Sequence, residues 1–251
     1  MQANEALKNF LDNGDAIFQN VSIDCVIFGF HQNQLKVLVL TFKNTDKRSL
    51  PGGFVFRDEG INDAAQRILQ ERTGLHDIYL EQFCTFGQAD RAISKVHRDT
   101  MQAIGIELPD DHWVLGRFLS VGYYALVDFS KVVLTTGILD EDYHWYDIHR
   151  VPPLILDHNH ITRKALETLR LMLDYKLIGF NLLPEMFTMS ELQALYETIL
   201  DKKLLRANFQ RKMLSLEILE RVDKKWTGGA HKAPYLYRFD PRRAAAFLER
   251  E

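Results

Sequence analysis

Residues 51–75, PGGFVFRDEGINDAAQRILQERTGL, carry the densest set of groups that could act on a charged ligand. Gly52 and Gly53 form a turn, and Glu59, Arg67, Glu71 and Arg72 follow. Positions 68, 71 and 72 are related by i, i+3 and i+4, so on a helix they share one face. A hard cation such as Mg²⁺ needs oxygen ligands there, mostly carboxylates. Instead the face carries Ile68, Glu71 and Arg72: a hydrocarbon, one carboxylate and a guanidinium. No metal and no cofactor are expected, and Glu71, beside Arg72, reads as an ion-pair partner rather than a metal ligand. Ile68 also belongs to the apolar stripe Ile61, Ala64, Ala65, Ile68 and Leu69 of a helix over about 61–73, where it would pack.

The same segment resembles the Nudix box, G-x5-E-x7-R-E-U-x-E-E-x-G-U, where U is a bulky aliphatic residue. Gly53, Glu59, Arg67, Leu69, Glu71, Gly74 and Leu75 fall in register, while Ile68 and Arg72 stand where the pattern has glutamates. In that family the glutamates hold a divalent cation against a diphosphate. The resemblance implies that the scaffold is kept: the glycine turn, a Glu59–Arg67 pair clamping loop to helix, and the Gly74 stop. The metal ligands are not kept, so the expectation is a domain that binds without hydrolysing, with no catalytic residue.

The chain has 251 residues, 46% hydrophobic and 26% charged, the composition of an ordinary globular protein. No apolar run reaches the roughly 18 residues of a membrane span. The polar, acidic start argues against a targeting peptide. Cys25 and Cys84 are the only cysteines, which suggests a cytoplasmic chain with reduced thiols. The net charge of −3 hides an asymmetry: residues 201–232 hold nine Lys/Arg against four Asp/Glu. A basic region on an acidic protein suggests an anionic partner for that region.

In the first part, Val21–Phe30 and Leu35–Phe42 are β-branched, apolar runs around the polar turn His31-Gln-Asn-Gln, a hairpin pattern. Leu80–Gly87, Phe118–Phe129 and Tyr143–Ile148 are further strand candidates. Residues 90–116 form a long insertion suited to a lid or interface arm. The expected fold is an α/β Nudix-type sandwich with a mixed sheet. Arg48, Arg57 and Arg91, with Gly52, Gly53 and Glu71, are the candidate ligand-binding residues, because arginine matches phosphate geometry through paired donors. The segment from Phe86-Gly87 to Asp90-Arg91 also resembles a Phe-Gly…Arg-Asp segment of regulatory Nudix proteins, with the last pair reversed.

Val151-Pro-Pro-Leu reads as a linker, dividing the chain into residues 1–155 and 156–251. His158 and His160, spaced i, i+2 with no cysteine nearby, read as capping or packing residues rather than metal ligands. Thr188 and Glu191 form a capping box, and Leu192, Leu195, Tyr196 and Ile199 follow as one buried stripe. A second helix is expected over about 206–221, with Phe209, Met213 and Leu216 inward and Asn208, Arg211, Lys212 and Ser215 outward. That outer face is polar, basic and free of acids, as a major-groove recognition helix requires. Strand-like pieces around Gly228-Gly229 suggest a basic hairpin. Arg206, Lys224, Lys225 and Lys232 complete the candidate DNA contacts, with the lysines along phosphates.

Asp157, His158 and Ile161 resemble the lead-in to the helical region of Nudix-related transcriptional regulators, a likeness that extends over nearly the whole chain. It implies an α+β winged-helix domain, operator double-stranded DNA as partner, a homodimer, and a small-molecule effector: an ADP-ribose-like nucleotide or a pentose such as arabinose. Two alternatives remain open at this stage, a Nudix hydrolase acting on a nucleoside diphosphate derivative and a nucleotide-binding module with a protein partner.

Overall fold

The computed structural model describes all residues except 1, 76–77, 90, 92, 134–138, 174, 176–181, 226–232 and 249–251. The chain divides into two compact units: residues 1–29 with 36–167, and residues 30–35 with 168–251.

The first unit opens with helix α1 (Gln2–Asp12), followed by strands β1 (Ile17–His31), β2 (Gln34–Phe42), β3 (Arg48–Ser49) and β4 (Gly52–Phe56). Then come α2 (Ile61–Thr73), β5 (Leu80–Phe86), α3 (Ile93–Ala103), β6 (Leu119–Val127) and β7 (Asp140–Asp147). All seven strands form one mixed sheet of order β3-β2-β1-β6-β5, with β4 also paired to β1 and β7 to β2. The β1–β6 pair is parallel, whereas β1–β4, β2–β3, β2–β7 and β5–β6 are antiparallel. The β1–β2 turn places Gln32 and Asn33 at φ 48° and 60°, the left-handed pair that a tight hairpin requires.

Helix α2 runs over the expected residues and stops at Gly74, whose φ of +67° is left-handed and whose N–H bonds Gln70 O. Its apolar stripe, Ala64, Ala65, Ile68 and Leu69, is buried against Ile23, Cys25, Leu38, Val55 and Tyr123 of the sheet. The sequence did not announce α1. It packs Leu7 and Leu11 with Met101 of α3 and Ile106, Leu108, Val114 and Leu115 of the insertion, so residues 90–116 carry a helix and a second small core.

Helix α4 (His158–Met172) follows the Pro152-Pro153 segment. The division between units falls within α4, at Glu167/Thr168, rather than at residue 155. The reason is local bonding at its start. His158 Nδ1 accepts from Leu50 N–H at 3.0 Å, Ile155 N–H donates to Arg48 O at 2.8 Å, and Asp157 pairs with Arg91.

The second unit holds β8 (Phe187–Thr188), α5 (Met189–Leu200), α6 (Arg206–Ser215), β9 (Leu219–Lys224), β10 (Tyr235–Phe239) and α7 (Pro241–Leu248), with a three-stranded sheet of order β8-β10-β9. The capping box is complete: Thr188 Oγ1 accepts from Glu191 N–H at 3.2 Å and Glu191 Oε2 accepts from Thr188 N–H at 2.6 Å. Leu192, Leu195, Tyr196 and Ile199 are buried as expected. Helix α5 ends at Asp201 with φ 54°. The turn into α6 is gathered by Glu197, which accepts from Leu204 N–H, Gln193 Nε2 and Lys203 Nζ, all at 2.9 Å. Led by the Leu204 N–H bond, these donors hold the Glu197 carboxyl at about 2.

Candidate effector cavity and nucleic-acid interface

A cavity of about 540 Å³ opens in the first unit beside the 51–75 segment. Its wall includes Gly52 and Gly53 of β4 and Arg67, Ile68, Glu71 and Arg72 of α2. Phe10 of α1, His97 of α3, Phe118 and Asp140 complete much of the apolar and polar lining.

The expected clamp is present. Arg67 Nε donates to Glu59 Oε2 at 3.0 Å and Nη2 to Glu59 Oε1 at 2.7 Å, a two-bond fork. Nη2 also donates to Phe54 O at 2.9 Å, and the guanidinium lies 4.3 Å from the Phe56 ring centre. Glu59 in turn accepts from Phe56 N–H at 2.8 Å. Loop, strand and helix are thereby fixed together, and the Arg67 bonds hold the Glu59 carboxyl below its ordinary value.

Close packing requires glycine at position 52, where the backbone is met, and favours it at position 53, where only the end of the Ile68 side chain is met. A Cβ on Gly52 would lie 2.5 Å from Ile23 O, and one on Gly53 2.9 Å from Ile68 Cδ1. Ile68 itself is 1% exposed and belongs to the sheet core. Arg72 turns to Asp140 Oδ2 at 2.6 Å and to Tyr143 Oη at 2.8 Å. Glu71 is an ion-pair partner as expected, though not of the adjacent Arg72. Glu71 pairs instead with Arg67 at 3.3 Å, because i, i+4 neighbours face each other on a helix and adjacent residues do not.

Arg91 lines the cavity with its charge bracketed: Nη2 donates to Asp24 Oδ2 at 3.0 Å and Nε to Asp157 Oδ1 at 2.7 Å. Asp24 is buried and also accepts from Ser120 Oγ. Burial opposes its charge, but the Arg91 guanidinium and the hydrogen bonds from Arg91 and Ser120 outweigh burial and hold the carboxyl low. His158 lies 3.6 Å away through Nε2. Burial keeps His158 below its ordinary value, and its Nδ1 is an acceptor, so it is the neutral imidazole and Arg91 supplies the charge facing Asp24.

Of the six candidate ligand-binding residues, Gly52, Gly53, Glu71 and Arg91 line the cavity, whereas Arg48 and Arg57 are not in its wall. Arg57 is exposed, its N–H bonded to Ala16 O. Arg48 directs Nη1 toward Asp46 O at 3.4 Å. Sequence reasoning missed Asp24, Arg67 and Arg72 as wall residues, along with His97, Asp140 and His158. Asp24 had a visible signal, a single acid inside the apolar run VSIDCVIFGF. Neither His158 nor His160 joins a group that could hold a metal ion among the described residues. His160 packs edge-on against Phe86.

In the second unit, α6 buries Phe209 and Met213, with Phe209 edge-on to Tyr196 of α5 at 5.2 Å. Arg206, Asn208, Arg211, Lys212 and Ser215 are all exposed. Arg211 Nη2 donates to Asn208 Oδ1 at 3.2 Å, which aligns the two along the outer face. The helix is shorter than expected: it ends at Ser215, since Glu217 adopts φ 57° and the chain turns into β9. Strands β9 and β10 pair antiparallel as the two sides of the basic hairpin. Lys224 lies 5.7 Å from the Tyr235 ring centre, and Lys225 Nζ pairs with Glu191 at 2.9 Å. Lys232 and the Gly228-Gly229 tip lie outside the described residues.

Residues 19–169 match the family model of the NUDIX domain, and residues 179–239 match the NrtR DNA-binding winged helix domain. A curated relative from Acinetobacter baylyi, named ADPR responsive transcriptional repressor NtrR, is 30% identical over 226 residues, covering 87% of this chain and 81% of its own. The chain belongs to the family of Nudix-related transcriptional regulators. The crystal structure of Shewanella oneidensis NrtR complexed with a 27mer DNA is similar to this regulator at TM-score 0.68 and 26% identity, covering 90% of this chain and 96% of that one. A MutT/nudix family protein from Enterococcus faecalis shares the fold at TM-score 0.65 and 19% identity, covering 94% and 93%. In this regulator the Nudix domain supplies the cavity and the winged helix supplies the exposed basic face. No helix among the described residues is long and apolar enough to cross a membrane.

Proposed function

We propose that this regulator is a repressor that senses ADP-ribose, or a nucleotide close to it, without metal and without turnover. The carrying observation is the α2 face that would present carboxylates to a cation. Ile68 is sealed in the core, Arg72 is bonded to Asp140 and Tyr143, and Glu71 is engaged by Arg67. That face offers the cavity no pair of free carboxylates to bring a cation and a diphosphate together. A cavity of about 540 Å³ suits a nucleotide-sized ligand and far exceeds one sugar ring, which favours the nucleotide over a pentose. The ADPR responsiveness named for the Acinetobacter relative supports the same choice.

The winged helix would hold operator DNA with the outer face of α6 in the major groove. Arg211 and Asn208 suit guanine and adenine edges, Arg206, Lys212 and Ser215 flank them, and Lys224 and Lys225 reach phosphates. A homodimer presents two such helices to two half-sites. Effector binding then shifts operator affinity by a coupling of roughly 1–3 kcal/mol.

The test is calorimetric titration of ADP-ribose into the full chain in EDTA, with a parallel incubation in Mg²⁺ or Mn²⁺ analysed for AMP. Binding in EDTA and no AMP are expected. Turnover at the roughly 1–10³ s⁻¹ of ordinary enzymes would establish a hydrolase instead.

A further inference from the structure

Three arginines line the cavity, and they differ in what is left of their charge. Arg67 faces two carboxylates, Glu59 and Glu71, and spends all three nitrogens on protein acceptors. Arg91 also faces two, Asp24 and Asp157, and its side chain is 3% exposed. Arg72 faces one, Asp140. Its Nη1 is spent on Asp140 and Tyr143, and its Nε is sealed from solvent without a partner. Among the described residues nothing accepts from Nη2, and that atom is not sealed. With 19% of the side chain still exposed, Nη2 is the arginine donor on this wall that an entering group can reach without breaking an ion pair.

We propose that Arg72 is the anion-binding residue of the cavity, its Nη2 donating to a phosphate oxygen of the ligand as a fixed cation. Asp140 and the Tyr143 hydroxyl position the guanidinium: Tyr143 Oη donates to Asp140 Oδ2 at 2.8 Å while accepting from Arg72, a closed triangle that fixes the plane. A planar guanidinium held in this way loses little side-chain freedom on meeting an oxyanion. An anion beside Arg67 or Arg91 would instead meet an excess of carboxylate. The proposal takes its ligand class, a nucleoside diphosphate derivative, from the function proposed above, but its chemistry is that of any phosphate oxyanion.

The test uses the full chain in EDTA, titrated with ADP-ribose, inorganic pyrophosphate and adenosine. Arg72→Gln removes the charge and keeps a donor toward Asp140. It is expected to weaken ADP-ribose and pyrophosphate about 10- to 100-fold, the range of a hydrogen bond to a charged group, and to leave adenosine unchanged. Asp140→Asn keeps the shape, removes the opposing charge and is expected to tighten pyrophosphate, a change in the opposite direction that loss of structure would not produce. If Arg72→Gln binds both phosphates like wild type, or adenosine weakens in parallel, or Asp140→Asn weakens pyrophosphate, the assignment is overturned while ADP-ribose sensing by wild type still stands. If wild type ignores ADP-ribose but binds pyrophosphate through Arg72, the functional reading falls and the assignment holds. If wild type binds neither, both fall.

Discussion

Replacing Arg67 with methionine removes the clamp while keeping most of the aliphatic stem. The side chains of Arg67 and Glu59 are 28% and 15% exposed, so the fork between them is largely shielded from water. The substitution loses two charged bonds to Glu59, the longer one to exposed Glu71 and one to Phe54 O, and leaves Glu59 with the Phe56 N–H alone. Bonds to charged groups contribute about 1.5–3 kcal/mol each, but removing arginine also removes its own desolvation cost, and breaking a fully buried pair costs about 3–5 kcal/mol. The net loss expected is about 2–3 kcal/mol, or roughly 4–10 °C for a unit of this size. The pH dependence gives a sharper signature. Glu59 has a folded pKa held below its unfolded value by the Arg67 bonds, so its stabilisation is present above an unfolded carboxylate value of about 4.3 and is lost as pH falls through the folded value. Urea unfolding of wild type and Arg67→Met at about pH 7 and about pH 3.5 should therefore show a larger difference at the higher pH. A difference under about 0.5 kcal/mol at pH 7, within the range of an ordinary surface substitution, would refute the reasoning, as would an equal difference at both pH values.

Gly52→Ala should cost about 1–3 kcal/mol in urea unfolding, because its Cβ would sit 2.5 Å from a backbone oxygen that cannot move aside. Thr188→Ala should cost about 1 kcal/mol by removing a completed N-cap, read from the unfolding of the second unit. Arg211→Ala should weaken operator binding by about 1–3 kcal/mol and relax sequence preference while leaving the melting curve unchanged, since the side chain is exposed and outside the apolar stripe.

The parts of this regulator that were legible in its sequence are those set by local rules. Helix α2 was bounded by its stripe and by Gly74, α5 by the Thr188–Glu191 box, and the β1–β2 turn by two polar residues able to adopt positive φ. The faces of α6 also followed from spacing alone. What was not legible depends on contacts far along the chain. Asp140 and Tyr143 approach Arg72 across 68 and 71 residues, and Asp157 approaches Arg91 across 66. No local pattern names those partners. Helix α1 carries no clear local signal because its polar composition masks Leu7 and Leu11, which need the insertion to be buried. Helix α6 ends before its spacing suggests because Glu217, an ordinary helix former, adopts φ 57° as the chain turns into β9. Arg57 is expected at the cavity because it lies beside a segment that flanks the family's ligand cleft, but it sits in the turn after β4 with its side chain exposed.

In the function proposed above, one chain couples a metal-free nucleotide site to operator release. The direct measurement is fluorescence anisotropy of a labelled duplex from the region upstream of the regulator's own gene, bound by the full chain in EDTA and titrated with ADP-ribose. Preference over random duplex and a loss of operator affinity of roughly 5–150-fold at saturating ADP-ribose are expected, with the nucleotide recovered intact. Affinity unchanged by ADP-ribose, release that requires Mg²⁺, or binding with no preference over random duplex would contradict it.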